Sequence, residues 1–60
     1  MILEIYTEKE VSKIDRERCY QGFTHNQFGT YTIIGPFYIV YKDILHSRVY
    51  KICEDILNVS

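Results

Sequence analysis

Four side chains in this 60-residue chain carry nucleophilic or metal-ligating chemistry: Cys19, His25, His46 and Cys53. A thiol six residues before an imidazole invites a thiolate activated by a neighbouring base. No Asp or Asn follows at a spacing that would orient the ring, and no oxyanion motif accompanies the pair. The plainer expectation is a half-buried cysteine near a loop histidine. Two Cys and two His also match the inventory of a zinc site. Their intervening stretches of 5, 20 and 6 residues contain no C-x-x-C or H-x-x-x-H grouping. Cys53 lies on an apolar helical stripe, where a small buried thiol is expected. Gly22, Gly29 and Gly35 form neither G-x-G-x-x-G nor a P-loop. The sequence therefore predicts no catalytic residue, no metal and no cofactor.

The residues that stand out are suited to contact rather than to reaction. Six Tyr and three Phe make the chain 15% aromatic, with no Trp. Tyrosine joins a large apolar ring to a polar tip, which suits a surface that is wet when free and buried in a complex. A domain of this size has room inside for about three or four rings, because so short a chain buries only about 60% of its surface. Of Tyr20, Phe23, Phe28, Tyr31, Phe37, Tyr38 and Tyr41, the remainder are expected to form an exposed patch, and such patches mark interfaces. Arg16 and Arg18, in the alternating run Asp15-Arg16-Glu17-Arg18, supply a polar rim. The same arginines with Tyr20 and Phe23 could stack and pair with nucleic acid. A net charge of −1 lacks the basic excess such binders show, so nucleic acid is the alternative rather than the main reading.

These residues need elements to hold them. Residues 1–6 read as a short apolar strand. Thr7 with Glu10 forms a capping box, and Tyr6 with Val11 a hydrophobic staple, which predicts a helix over residues 8–18. Residues 20–29 mix Gly, Asn, Thr and Gln with three rings and read as a loop. Residues 30–34 and 37–42 are β-branched and aromatic and read as strands. Between them, Gly35-Pro36 either turns a hairpin, the favoured reading, or bends one long strand. Residues 43–59 read as an amphipathic helix capped by Asp43 or Ser47. Leu45, Val49, Ile52, Ile56 and Val59 recur at spacings of four, three, four and three, and Cys53 and Leu57 widen the stripe.

The expected fold is a small single α+β domain, order β-α-β-β-α, with a three-stranded sheet and both helices on one face. The run over residues 30–41 is apolar at odd positions (Tyr31, Ile33, Phe37, Ile39, Tyr41) and at even ones (Ile34, Tyr38, Val40). A sheet covered on one face would leave much of the other bare, which predicts contact with a second polypeptide. The predicted interface set is Tyr20, Phe23, Phe28, Tyr31, Phe37, Tyr38, Ile39, Tyr41, Arg16 and Arg18. The predicted partners are a second copy of the chain and an unidentified protein target. In size and Tyr- and Ile-rich makeup the whole chain resembles the small phage-encoded proteins that block host enzymes or defence systems. That resemblance implies a protein-binding inhibitor rather than an enzyme. With Glu4 charged so early no signal peptide is expected, and the apolar-rich stretch over 28–41 is 14 residues long and contains Gly-Pro. The expected setting is cytoplasmic, with no membrane span and two reduced thiols.

Overall fold

The computed structural model describes residues 1–59. Its elements run β1 (Ile2–Tyr6), α1 (Lys13–Gln21), β2 (Thr24–His25), β3 (Gly29–Ile34), β4 (Phe37–Lys42) and α2 (His46–Val59). The sheet is antiparallel throughout, in the order β1-β4-β3-β2. It has four strands rather than the three expected. The additional strand pairs Thr24 with Thr30 and His25 with Gly29, inside the segment read as a loop. Two residues are too few to show the alternation that marks a strand in sequence.

Gly35-Pro36 turns a hairpin. Ile34 pairs with Phe37 across it, leaving two central residues. Gly35 has φ 57°, while the pyrrolidine ring holds Pro36 at negative φ. Positive then negative φ are the signs of a type II′ turn, whose twist suits a hairpin and which wants glycine first. Gly29 meets a harder constraint. It sits at φ 91°, and a Cβ there would lie 2.4 Å from the Tyr41 carbonyl oxygen. Only glycine fits at the corner where β3 leaves the β2 turn.

The predicted first helix divides. Thr7 donates to Glu10 Oε1 from both its N–H (3.1 Å) and its Oγ1 (2.7 Å), so the Glu10 half of the capping box forms. It closes only a turn, in which Glu10 N–H and Val11 N–H reach the Thr7 carbonyl. A second cap then begins α1: Ser12 Oγ accepts from Asp15 N–H at 3.1 Å. The helix ends on Gly22 in the left-handed region (φ 62°, ψ 40°). There Gly22 N–H reaches the Cys19 carbonyl and Phe23 N–H the Arg18 carbonyl, a Schellman closure.

The helices lie on opposite faces of the sheet, not on one. Cross-strand pairing puts Tyr38 and Val40 on one face with Ile33, Tyr31, Tyr6 and Glu4, and puts Phe37, Ile39 and Tyr41 on the other with Ile34, Ile5 and Leu3. Cys19 of α1 packs with Val11, Tyr31, Tyr38 and Val40, joined by Tyr6 and Phe23. Val49 and Cys53 of α2 pack with Ile34, Phe37 and Ile39, joined by Leu3, Ile5, Tyr41 and Ile44. The chain thus covers both apolar faces of its central hairpin by itself. The premise that a second polypeptide must cover one of them does not hold. Ile39, Val49 and Cys53 are fully buried.

α2 begins at His46 rather than Asp43. Asp43 has φ 61°, a left-handed conformation that aspartate tolerates better than most residues. The Leu45 carbonyl accepts the first helical bonds from Arg48 and Val49 N–H, so Leu45 occupies the cap position with no side-chain acceptor to offer. No helix among the described residues is long and apolar enough to cross a membrane.

Candidate interaction surface

Four of the predicted contact residues belong to the interior. Tyr31, Phe37, Tyr38 and Ile39 are all less than a tenth exposed and pack against the two helices. They serve the fold because α1 takes one face of β3 and β4 and α2 takes the other. Tyr41 is half-buried, and its hydroxyl hydrogen-bonds His46 Nδ1 at 2.9 Å, fastening the start of α2 to β4.

The other aromatic residues assemble at the β2 end of the sheet. The Arg18 guanidinium lies 5.6 Å from the Phe23 ring centre and 5.5 Å from that of Tyr31. Phe23 stacks on His25, with ring centres 6.2 Å apart and planes 9° from parallel. His25 in turn meets Phe28 at 4.8 Å. The series runs outward from the core: Tyr31 is buried, Phe23 half-buried and Phe28 53% exposed. Local structure fixes it. The Schellman closure sets Phe23 at the foot of the helix, Tyr31 N–H donates to the Phe23 carbonyl at 2.8 Å, and the His25–Gly29 pair returns Phe28 beside His25. His25 Nδ1 accepts from Gln27 N–H at 3.1 Å, which holds the imidazole in the stack.

Tyr20 stands on the outer side of α1, 59% exposed, with its hydroxyl 2.9 Å from that of Tyr38. That partner, and after it burial, raises the Tyr38 phenol above its ordinary value. Both predicted arginines are engaged locally. Arg16 donates to the Glu8 carbonyl at 3.1 Å and fixes the turn ahead of α1. Arg18 pairs with Asp15 at 3.2 Å while its guanidinium faces the rings.

The thiols and imidazoles do not combine. Cys19 is 5% exposed, its Sγ directed at the Ile39 carbonyl, and burial raises its pKa. Cys53 is buried on the opposite face and its pKa is raised by burial as well. Both are free thiols, and the sheet lies between them. His25 belongs to the ring stack and His46 to Tyr41. Among the described residues no group of three His, Cys, Asp or Glu side chains is placed to hold a metal ion.

The structure also exposes residues that sequence reasoning assigned to a buried stripe. Leu45 is 75% exposed, Ile56 42% and Val59 87%, with Ile52 half-buried beside them. Ile52, Ile56, Val59 and Asp55 line a shallow concavity of about 370 Å³. The clue in the sequence was the width of the stripe, since one helix resting on a sheet buries a narrower arc than this one presents. Ile14 on α1 is likewise exposed. No family model matches the chain, and neither the curated proteins nor the solved structures compared with it give a match.

Proposed function

We propose that this chain is a small protein-binding module, a homodimer that inhibits or modulates another protein by covering part of its surface. The observation that carries this reading is the outward series Arg18, Phe23, His25 and Phe28, with exposed Tyr20 on the neighbouring helix. Rings held by backbone hydrogen bonds lose little entropy on binding, and Tyr and Arg are the side chains that most often dominate binding energy. The resemblance in size and makeup to phage-encoded inhibitors suggests host takeover or anti-defence as the process, and the cytoplasm as the place.

Nucleic acid is the second reading, because exposed rings can stack on bases. Arg16 and Arg18 are held locally, by the Glu8 carbonyl and by Asp15, and the net charge is −1. A non-catalytic role accords with two buried thiols whose pKa values are raised rather than lowered.

The test is capture from a host extract on immobilised wild type and on Phe28→Ala and Tyr20→Ala, with circular dichroism confirming that each variant is folded. A protein retained by wild type and lost by both variants supports the proposal. Equal retention by all three sinks this surface as the contact. A gel shift that weakens steeply with salt would favour nucleic acid.

A further inference from the structure

We infer that the outer flank of α2 is the surface on which two copies of this chain pair, as antiparallel helices related by a two-fold axis. The inference rests on the homodimer half of the proposed function and names the contact within it.

The sheet leaves few other ways to self-associate. Both of its faces are covered by the chain's own helices. The free edge of β1 carries Glu4 at its centre, so an antiparallel pairing of two β1 edges about that residue would set two carboxylates opposite each other, which is unfavourable. On α2, by contrast, Leu45, Ile52, Ile56 and Val59 follow one line along the helix at spacings of seven, four and three. Val49 and Cys53, the residues that meet the sheet, are rotated to the side of this line. The line is apolar, solvent-facing and shallowly concave around Ile52, Ile56 and Val59.

The charges on α2 specify the orientation. Arg48 and Lys51 lie in its first half, Glu54 and Asp55 in its second, with no acidic residue in the first turn and no basic residue in the last. This order opposes the helix's own dipole, which favours anions at the start and cations at the end. Lys51 is paired within the helix to Asp55 at 3.5 Å and Glu54 at 3.9 Å, but Arg48 forms no ion pair among the described residues. An unfavourable order in one helix becomes a complementary one against an antiparallel copy. Centred on Ile52, such a pairing sets Ile52 against the partner's Ile52, Leu45 against the partner's Val59, and Arg48 beside the partner's Asp55. The two-fold axis repeats each contact. An exposed leucine at the cap position, where Ser or Asp would stabilise the helix, fits the same arrangement.

The contact is small. A helix of this length presents a flank about 20 Å long, less than the roughly 800 Å² per partner of a standard interface. The dimer is therefore expected to dissociate on dilution through the micromolar range.

Sedimentation equilibrium over a dilution series tests the inference, with thermal melting to confirm that each variant is folded. Wild type is expected to move between one and two chain masses. Arg48→Glu and Asp55→Arg are each expected to weaken the dimer about tenfold, and the double exchange Arg48→Glu/Asp55→Arg to restore it. Ile56→Asp is expected to weaken it about a hundredfold. A dimer insensitive to Ile56→Asp, or single exchanges that the double exchange does not rescue, overturns the α2 contact and leaves the homodimer reading standing. A wild type that keeps a single chain mass up to about 1 mM overturns both.

Discussion

Tyr20 on α1 and Tyr38 on β4 meet twice: their hydroxyls lie 2.9 Å apart, and their rings cross at 83° with centres 5.8 Å apart. One ring is largely exposed and the other buried, so the pair pins the outer side of α1 to the sheet through a single polar contact. Tyr20→Phe is expected to lower the melting temperature and to bring the Tyr38 phenol back toward its ordinary value. Because the folded state holds that proton more tightly than the unfolded chain, the pair's contribution is full below the ordinary phenol range and fades as pH rises beyond it. Ultraviolet titration of tyrosine ionisation in wild type and Tyr20→Phe reads the shift; identical titrations would refute it.

Gly22 and Gly29, two of the three glycines at positive φ, predict different penalties. At Gly22 a Cβ meets nothing within 4 Å, so Gly22→Ala is expected to cost about 1 kcal/mol for the backbone conformation alone. At Gly29 the conformation and a collision with the Tyr41 carbonyl add together, and Gly29→Ala is expected to cost more than about 3 kcal/mol. Urea denaturation of the two variants side by side measures the difference. Equal midpoints would mean that the β3 corner relaxes freely.

Burial separates the side chains that hold the fold from those free to bind. Ile39 is fully buried, and Ile39→Ala is expected to cost about 3–4 kcal/mol, enough to unfold so small a domain. Phe28 is 53% exposed, and Phe28→Ala is expected to cost under about 1 kcal/mol while abolishing capture of the target. Thermal melts paired with the binding assay check both halves.

The uncapped start of α2 offers a gain. Leu45→Asp places an acceptor and a negative charge where the first N–H groups of the helix lack a side-chain partner. It is expected to stabilise the single chain by about 1 kcal/mol and, by removing Leu45 from the proposed contact, to weaken the dimer. Denaturation at a concentration where only single chains exist isolates the first effect, and sedimentation the second.

The thiols give an alkaline limit. Burial raises both Cys19 and Cys53 above the ordinary 9.0. A group whose proton is held more tightly when folded contributes fully below its unfolded value, and that contribution is lost as pH rises through the folded one. Stability is expected to fall above about pH 9, and less steeply in Cys53→Ala than in wild type once each is referred to its own value at neutral pH. A disulfide-exchange reagent should label neither thiol at neutral pH until urea unfolds the chain. Rapid labelling of the folded protein would contradict the burial of both.

Features governed by neighbours along the chain were legible in the sequence. Glu10 reaches back to Thr7, Tyr6 joins the cluster that holds Val11, and the apolar period of α2 is real. Two further local signals lie in the glycines. Gly22 after a run of charged residues marks the end of α1, and glycine in the first place of Gly35-Pro36 marks a type II′ turn. Ser12, a second cap only five residues after the first, shows how a box can close a turn without starting a helix.

Strand alternation and capping are properties of a few consecutive residues, so an α+β chain with a central hairpin apolar on both sides was legible from residue order alone. What covers those sides is set by long-range packing. Whether α1 and α2 share a face depends on how two connections carry the chain around the sheet, and the residue pattern of each helix is the same either way. Once they were placed on opposite faces, Tyr31, Phe37, Tyr38 and Ile39 became interior. The exposed apolar surface lies instead at Phe28, Tyr20 and the flank of α2, where the stripe is wider than the sheet can bury.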